Sequence, residues 1–239
     1  MIHLSELLEL KRGELVTVTG GGGKTSLLEC LQAELKARLE HVIITTTTKM
    51  YYPENFEGKI ILSSSEKEIV RSLTESLAEP ACFTAADRFW ENKVIGHTGT
   101  VINHLSKCFQ DRIILNEGDG AKGKSYKFYE AYEPVIPEET TKLVHLIGCD
   151  LLDTVMTAEK IHRCPAIYTG HRFDVSCFKE QMLYFTEVKL KNFNQVKTLI
   201  VNKADDGNQK KAFQMAEAAM PYFDQVIVAS LKERTWRLC

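Results

Sequence analysis

A chain of 239 residues with 44% hydrophobic content buries roughly 70 to 75% of the surface its unfolded form exposes, so folding requires neither a disulfide nor a structural metal. Thirty Lys and Arg against 32 Asp and Glu give a net charge of −2, which excludes a general electrostatic footprint for nucleic acid or an anionic membrane. Seven cysteines without a C-x-x-C pair fit reduced thiols in a cytosol rather than a disulfide framework, and no apolar stretch reaches the length of a membrane span.

The first twelve residues carry Glu6 and Glu9 and lack the long apolar run of a secretory signal, so a cytoplasmic location is expected. Leu15, Val16 and Val18 predict a buried strand at 15–18. It runs into Gly20, Gly21, Gly22, Gly23, Lys24, Thr25 and Ser26, after which Leu27, Leu28, Leu31 and Leu35 recur at helical spacing through Glu40. Strand, glycine loop and helix, in that order, make an anion cradle. Glycines let backbone N–H groups turn toward a phosphate chain, the helix adds its positive N-terminal end, Lys24 neutralises charge, and the Thr25 hydroxyl is placed to hold magnesium. A full Walker A loop requires glycine at position 18, where this chain has Val18; residues 19–25 follow the shorter T-G-x-x-G-K-T form, similar to the loop of the Mur ligases.

Downstream, strands and helices alternate. Strands are predicted at 41–45, 59–62 and 81–84, with an edge piece at 93–95. Ser65 and Glu68 form a capping box that opens a helix over 66–77, and another helix spans 101–108. The run at 112–115, apolar after Arg112, reads as a central parallel strand, and 142–147, 198–201 and 225–228 repeat the pattern. This predicts an α/β fold of P-loop NTPase type, with a doubly wound, mostly parallel sheet and helices on both faces. Residues 1–239 then form one such domain. The lysine-rich, then aromatic, stretch 121–140 reads as a surface excursion, and the irregular stretch 149–191 as a lid or small subdomain.

Four further signals bear on chemistry. Asn202, Lys203, Ala204 and Asp205 follow the strand at 198–201 and spell N-K-x-D, the sequence by which GTPases recognise guanine. An aspartate carboxylate accepts hydrogen bonds from guanine N1–H and the exocyclic amine, a donor pair that adenine lacks, while the lysine stem lies along the base. Residues 226–231 loosely resemble the last GTPase motif. Glu117 and Asp119, at the carboxyl end of the strand at 112–115, are placed to hold magnesium or orient a nucleophile, and Lys122 and Lys124 to meet phosphate or an acidic substrate. Thr45 to Thr48 and Lys49 follow the second strand and read either as its polar closing end or as ligands, with Thr47 and Lys49 facing a γ-phosphate or a substrate anion. His162 and Arg163 read either as substrate contacts or as an exposed loop pair.

Taken together, T-G-G-G-G-K-T-S at 19–26, T-T-T-T-K-M at 45–50, E-G-D-G-A-K-G at 117–123, H-R at 162–163 and V-N-K-A-D at 201–205 resemble the YqeC family over most of the chain. The usual E-A-D-G of that family is E-G-D-G here, with Gly118. The resemblance implies an accessory protein for selenium-dependent molybdenum hydroxylases, involved in making or inserting a labile selenium cofactor. Three functional classes follow: a maturation NTPase using GTP or ATP with Mg2+, a small-molecule kinase or Mur-like ligase, or a nucleotide-sensing binding protein. The expected partners are such a hydroxylase or its cofactor assembly proteins, or a small-molecule acceptor, and neither nucleic acid nor membrane.

Overall fold

The computed structural model describes residues 2–54, 56–89, 92–205 and 207–239. In chain order the main elements are β1 (Leu15–Gly20), α1 (Lys24–Ala37), β2 (Val42–Thr46), β3 (Lys59–Leu62), α2 (Glu66–Thr74), β4 (Ala81–Ala85), α3 (Gly99–Cys108), β5 (Ile113–Glu117), β6 (Lys142–Gly148), α4 (Val175–Tyr184), β7 (Val196–Asn202), α5 (Gln209–Ala219), β8 (Gln225–Ser230) and β9 (Thr235–Leu238). The nine strands form the principal, mostly parallel sheet. The expected α/β class is therefore the one adopted. Among the described residues, no helix is long and apolar enough to cross a membrane.

The chain sorts into two compact units, each assembled from separated stretches. One takes Met1–Val18, Leu28–Gly120 and Val135–Lys142, and the other Thr19–Leu27, Ala121–Pro134 and Leu143–Cys239.

In the first unit the strands run in the order β1-β5-β2-β4-β3. Parallel register places Leu15 beside Ile114, Ile114 beside Ile43, and Ile43 beside Cys82. That apolar row packs with Ile69 and Leu73 of α2 and Ile102 and Leu105 of α3; each buried Leu or Ile contributes about 1.5–3 kcal/mol. The strand predicted from residue 112 starts at Ile113 instead. Arg112 is 1% exposed and its guanidinium donates to Leu73 O at 3.4 Å and Ser76 O at 3.1 Å, stabilising the carbonyl end of the second helix. That helix stops at Thr74 rather than 77. The hydroxyls of Thr74 and Ser76 bond back to Val70 O and Ser72 O, which competes with continued helix.

Two residues further along the same strands the row turns polar. Thr17, Asn116, Thr45 and Thr84 are neighbours in register and all four are fully buried. Thr140 Oγ1 lies 2.8 Å from Thr17 Oγ1 at one end, and His97 Nε2 lies 2.9 Å from Thr84 Oγ1 at the other. His97 is 4% exposed, and burial pushes its imidazole down from 6.5 to about 4. The unfolded chain takes up this proton below pH 6.5, whereas the folded chain refuses it until about pH 4. Stability is therefore full above pH 6.5 and falls as the pH drops through that window, by about 3 kcal/mol in total. Urea melts at pH 7 and 4.5 should show this loss in the native chain and a much smaller one in His97→Gln. Equal pH dependence in both would remove His97 as the cause.

The piece expected at 93–95 as an edge is the middle of a separate antiparallel sheet, flanked by Lys49–Tyr51 and Asp87–Phe89. Lys49 thus opens a strand rather than closing one.

In the second unit β6, β7, β8 and β9 follow one another across the sheet; β7 and β8 are parallel, β8 and β9 antiparallel. The stretch 121–140 is not a simple surface excursion, because Tyr126 is 1% and Lys127 0% exposed. Tyr126 packs its ring 5.7 Å from Phe173, and Tyr126–Lys127 pairs with Ile161–His162. Lys127 tolerates burial because its ammonium meets Glu133 Oε2 at 2.8 Å.

Candidate functional site

The glycine loop ends β1 and opens α1 in the predicted order. Gly22 has φ +79 and Gly23 φ +129, and a Cβ on either would come within 2.5 Å of Gly148 N or Asn202 Nδ2 respectively. Only glycine meets both demands. Lys24 is 6% exposed and its ammonium donates to Gly20 O at 2.6 Å, so the cation is held inside the loop. The opening N–H groups of a helix have no acceptor within it, which makes the first turn of α1 an anion-binding end. Thr25 and Ser26 in that turn are exposed.

Two of the amides expected to cradle phosphate are otherwise engaged. Gly21 N–H donates to Leu146 O at 3.0 Å and Gly22 N–H to Lys124 O at 2.7 Å. Of the stretch Gly21 to Lys24 expected as a cradle, the first two amides thus face protein carbonyls in this conformation.

The N-K-A-D turn meets this loop directly. Asn202 ends β7, is 5% exposed, donates from Nδ2 to Gly22 O at 2.6 Å and accepts from Leu231 N–H at 3.0 Å. One side chain thereby ties the glycine loop, β7 and the end of β8. Asp205 accepts a hydrogen bond from the Ser230 hydroxyl through Oδ1, which fixes the carboxylate. The Leu231 amide is bonded to Asn202, so in the 226–231 segment it is Ser230 that addresses Asp205. Lys203, at φ +65, turns its ammonium into a polar cluster. It donates to Ser125 Oγ at 2.5 Å and Asp150 Oδ2 at 2.9 Å, and Ser125 also donates to Asp150 Oδ2 at 3.0 Å.

Cys149 is buried beside this turn. Its thiol donates to Lys203 O at 3.1 Å, and burial, reinforced by Asp150, pushes it up to about 12.

In the first unit, Glu117 and Asp119 are 6% and 1% exposed at the carboxyl end of β5. The threonine run is fastened to the Glu117 carbonyl. Glu117 O accepts from Thr47 N–H at 3.0 Å, from Thr46 Oγ1 at 3.1 Å and from Thr47 Oγ1 at 3.3 Å. Gly118 N–H donates to Val18 O at 2.8 Å. Thr47 therefore shapes the acidic turn, and Lys49 is exposed on its separate strand.

Of the remaining candidates, Arg163 pairs with Glu133 and lies 3.5 Å from Glu130. His162 is pushed below its ordinary value by burial and by Arg163, Lys127 and Lys122, so it is predominantly neutral at pH 7. Lys122 is exposed at φ +49. Ser125 and Asp150 carried no sequence signal of their own, since a serine in a lysine-rich run and an aspartate after a strand are both ordinary turn residues.

The family model described as YqeC protein matches residues 16–165. A curated relative, "Uncharacterized protein YqeC" of Escherichia coli (strain K12), is 32% identical over 156 residues, which is 64% of this chain and 59% of the relative. The chain thus matches somewhat more than half of that relative's length. The glycine loop, the acidic turn, His162 and Arg163 lie inside the stretch matched by the family model, and residues 202–205 lie beyond it. The chain belongs to the YqeC family.

Proposed function

We propose that this YqeC-family chain binds a guanine nucleotide with magnesium and turns it over as a P-loop NTPase. The observation that carries this reading is the bond from Asn202 Nδ2 to Gly22 O at 2.6 Å, by which two motifs 180 residues apart in sequence meet in one place. The first turn of α1 and Lys24 take the phosphates, and Asp205, oriented by Ser230, takes the purine edge. Magnesium favours hard oxygen ligands. The Thr25 hydroxyl is a donor of that kind, and when bound the ion would neutralise charge developing on the transferred phosphoryl group; Glu117 and Asp119 of the first unit are carboxylates of the same hard-oxygen chemistry.

Calorimetry with GTP, ATP and XTP tests the base assignment. Asp205→Asn should weaken GTP at least tenfold and favour XTP, because the amide donates where the carboxylate accepts. Indifference to the base would remove guanine from the reading.

In the cell we propose a role as accessory factor for selenium-dependent molybdenum hydroxylases, supported by the motif resemblance. Phosphate release measured alone, with small-molecule acceptors and with a purified hydroxylase separates a maturation NTPase from a kinase or ligase. Binding without release would indicate a nucleotide sensor. Lys122, His162 and Arg163 are the proposed contacts for an anionic acceptor; Thr47 and Lys49, in the first unit, are proposed separately as contacts for a substrate anion.

A further inference from the structure

The Gly22 N–H, an amide of the glycine loop, is covered by the carbonyl of Lys124 at 2.7 Å. That carbonyl is presented by a backbone segment that is itself held down. Gly148 N–H donates to Ser125 O at 2.9 Å, and the Ser125 hydroxyl sits between Lys203 Nζ at 2.5 Å and Asp150 Oδ2 at 3.0 Å. Lys203 closes the triangle on Asp150 at 2.9 Å. Ser125 is 5% exposed, and a Cβ on Gly21 would fall 2.6 Å from Lys124 O, so the segment lies flat on the loop.

We infer that residues 124–126 form a latch over the phosphate loop, and that Ser125 is the positioning residue through which Lys203 of the N-K-A-D turn holds it shut. The inference rests on the nucleotide reading and adds coupling to it. Lys124 O and a phosphate oxygen compete for the same Gly22 N–H. A purine that draws Lys203 along its face weakens the bonds to Ser125 and Asp150, the carbonyl withdraws, and the amide turns to the anion. Base and phosphate then bind cooperatively, whereas a phosphate chain without a base meets a closed latch.

Magnesium pyrophosphate and GDP are the probes, titrated by calorimetry into the full chain and into Ser125→Ala and Asp150→Asn. Asp150 is partly exposed, so its variant should fold even if the serine variant does not. Each variant should bind pyrophosphate and GDP both more tightly, by about the same factor of about fivefold because both need the latch open, and Gly22 amide hydrogen exchange in the ligand-free protein should quicken. A serine that merely supports the fold would weaken both ligands together. Parallel weakening, or unchanged pyrophosphate affinity with unchanged Gly22 exchange, overturns the latch. So does GDP binding to every protein with pyrophosphate binding to none. Failure of all proteins to bind GDP and GTP would overturn the nucleotide reading instead, and Gly22 exchange would then decide the latch by itself.

Discussion

Lys24→Ala is expected to lower affinity for magnesium GTP by about 100-fold, equivalent to about 2.7 kcal/mol. Lys24 is 6% exposed and its ammonium is already bonded to Gly20 O at 2.6 Å, so little ordering remains when a phosphate arrives. A preplaced cation in a sheltered loop gains more from an anion than one on the surface, because water screens it less. Alanine removes that charge and one hydrogen bond to the loop, and the second loss costs about 1 kcal/mol of fold stability. The two are separable: melting without ligand should move by a few degrees, whereas the upward shift that GTP produces in the native chain should nearly vanish. An unaltered nucleotide response would remove the loop from the reading.

What the sequence makes legible follows from what is local. Uniformly apolar runs locate the strands because both faces of a parallel sheet are covered, and the four glycines announce a backbone that must pack closely. The N-K-A-D spelling names its turn. None of these signals shows partners. Lys203 meets Ser125 and Asp150 across 78 and 53 residues, and that choice depends on how β6 and β7 lie together. Burial of Lys127 was hidden for a related reason, since a lysine reads as surface until its carboxylate, Glu133, is found. The helix at Gln209–Ala219 was missed because its buried face is largely Ala212, Ala216 and Ala219, which give a weak hydrophobic period. Arg112 looked like the start of a strand, and only the carbonyls of the neighbouring helix reveal why it turns aside.

Asn202→Ala should have a different signature from Asp205→Asn, and the contrast tests how the two motifs are joined. Asn202 carries two bonds of opposite sense, a donor to Gly22 O and an acceptor for Leu231 N–H, at 5% exposure. Alanine leaves a carbonyl and an amide in a buried place without that partner, at a cost of about 1–3 kcal/mol for each group left unsatisfied. Stability and nucleotide affinity should therefore fall together, because the same side chain fixes the loop and the turn. Asn202→Asp sharpens the test. It keeps an acceptor for Leu231 but sets a carboxylate oxygen against the Gly22 carbonyl, so the loop must shift while the end of β8 stays tied. Its nucleotide affinity should fall at least as far as that of the alanine variant, with a smaller loss in melting temperature. Asp205→Asn, by comparison, should change which base is preferred and leave melting nearly unmoved. If Asn202→Ala behaved in that way, altering selectivity without weakening the fold, the bond between loop and turn would not be the element that holds the site together.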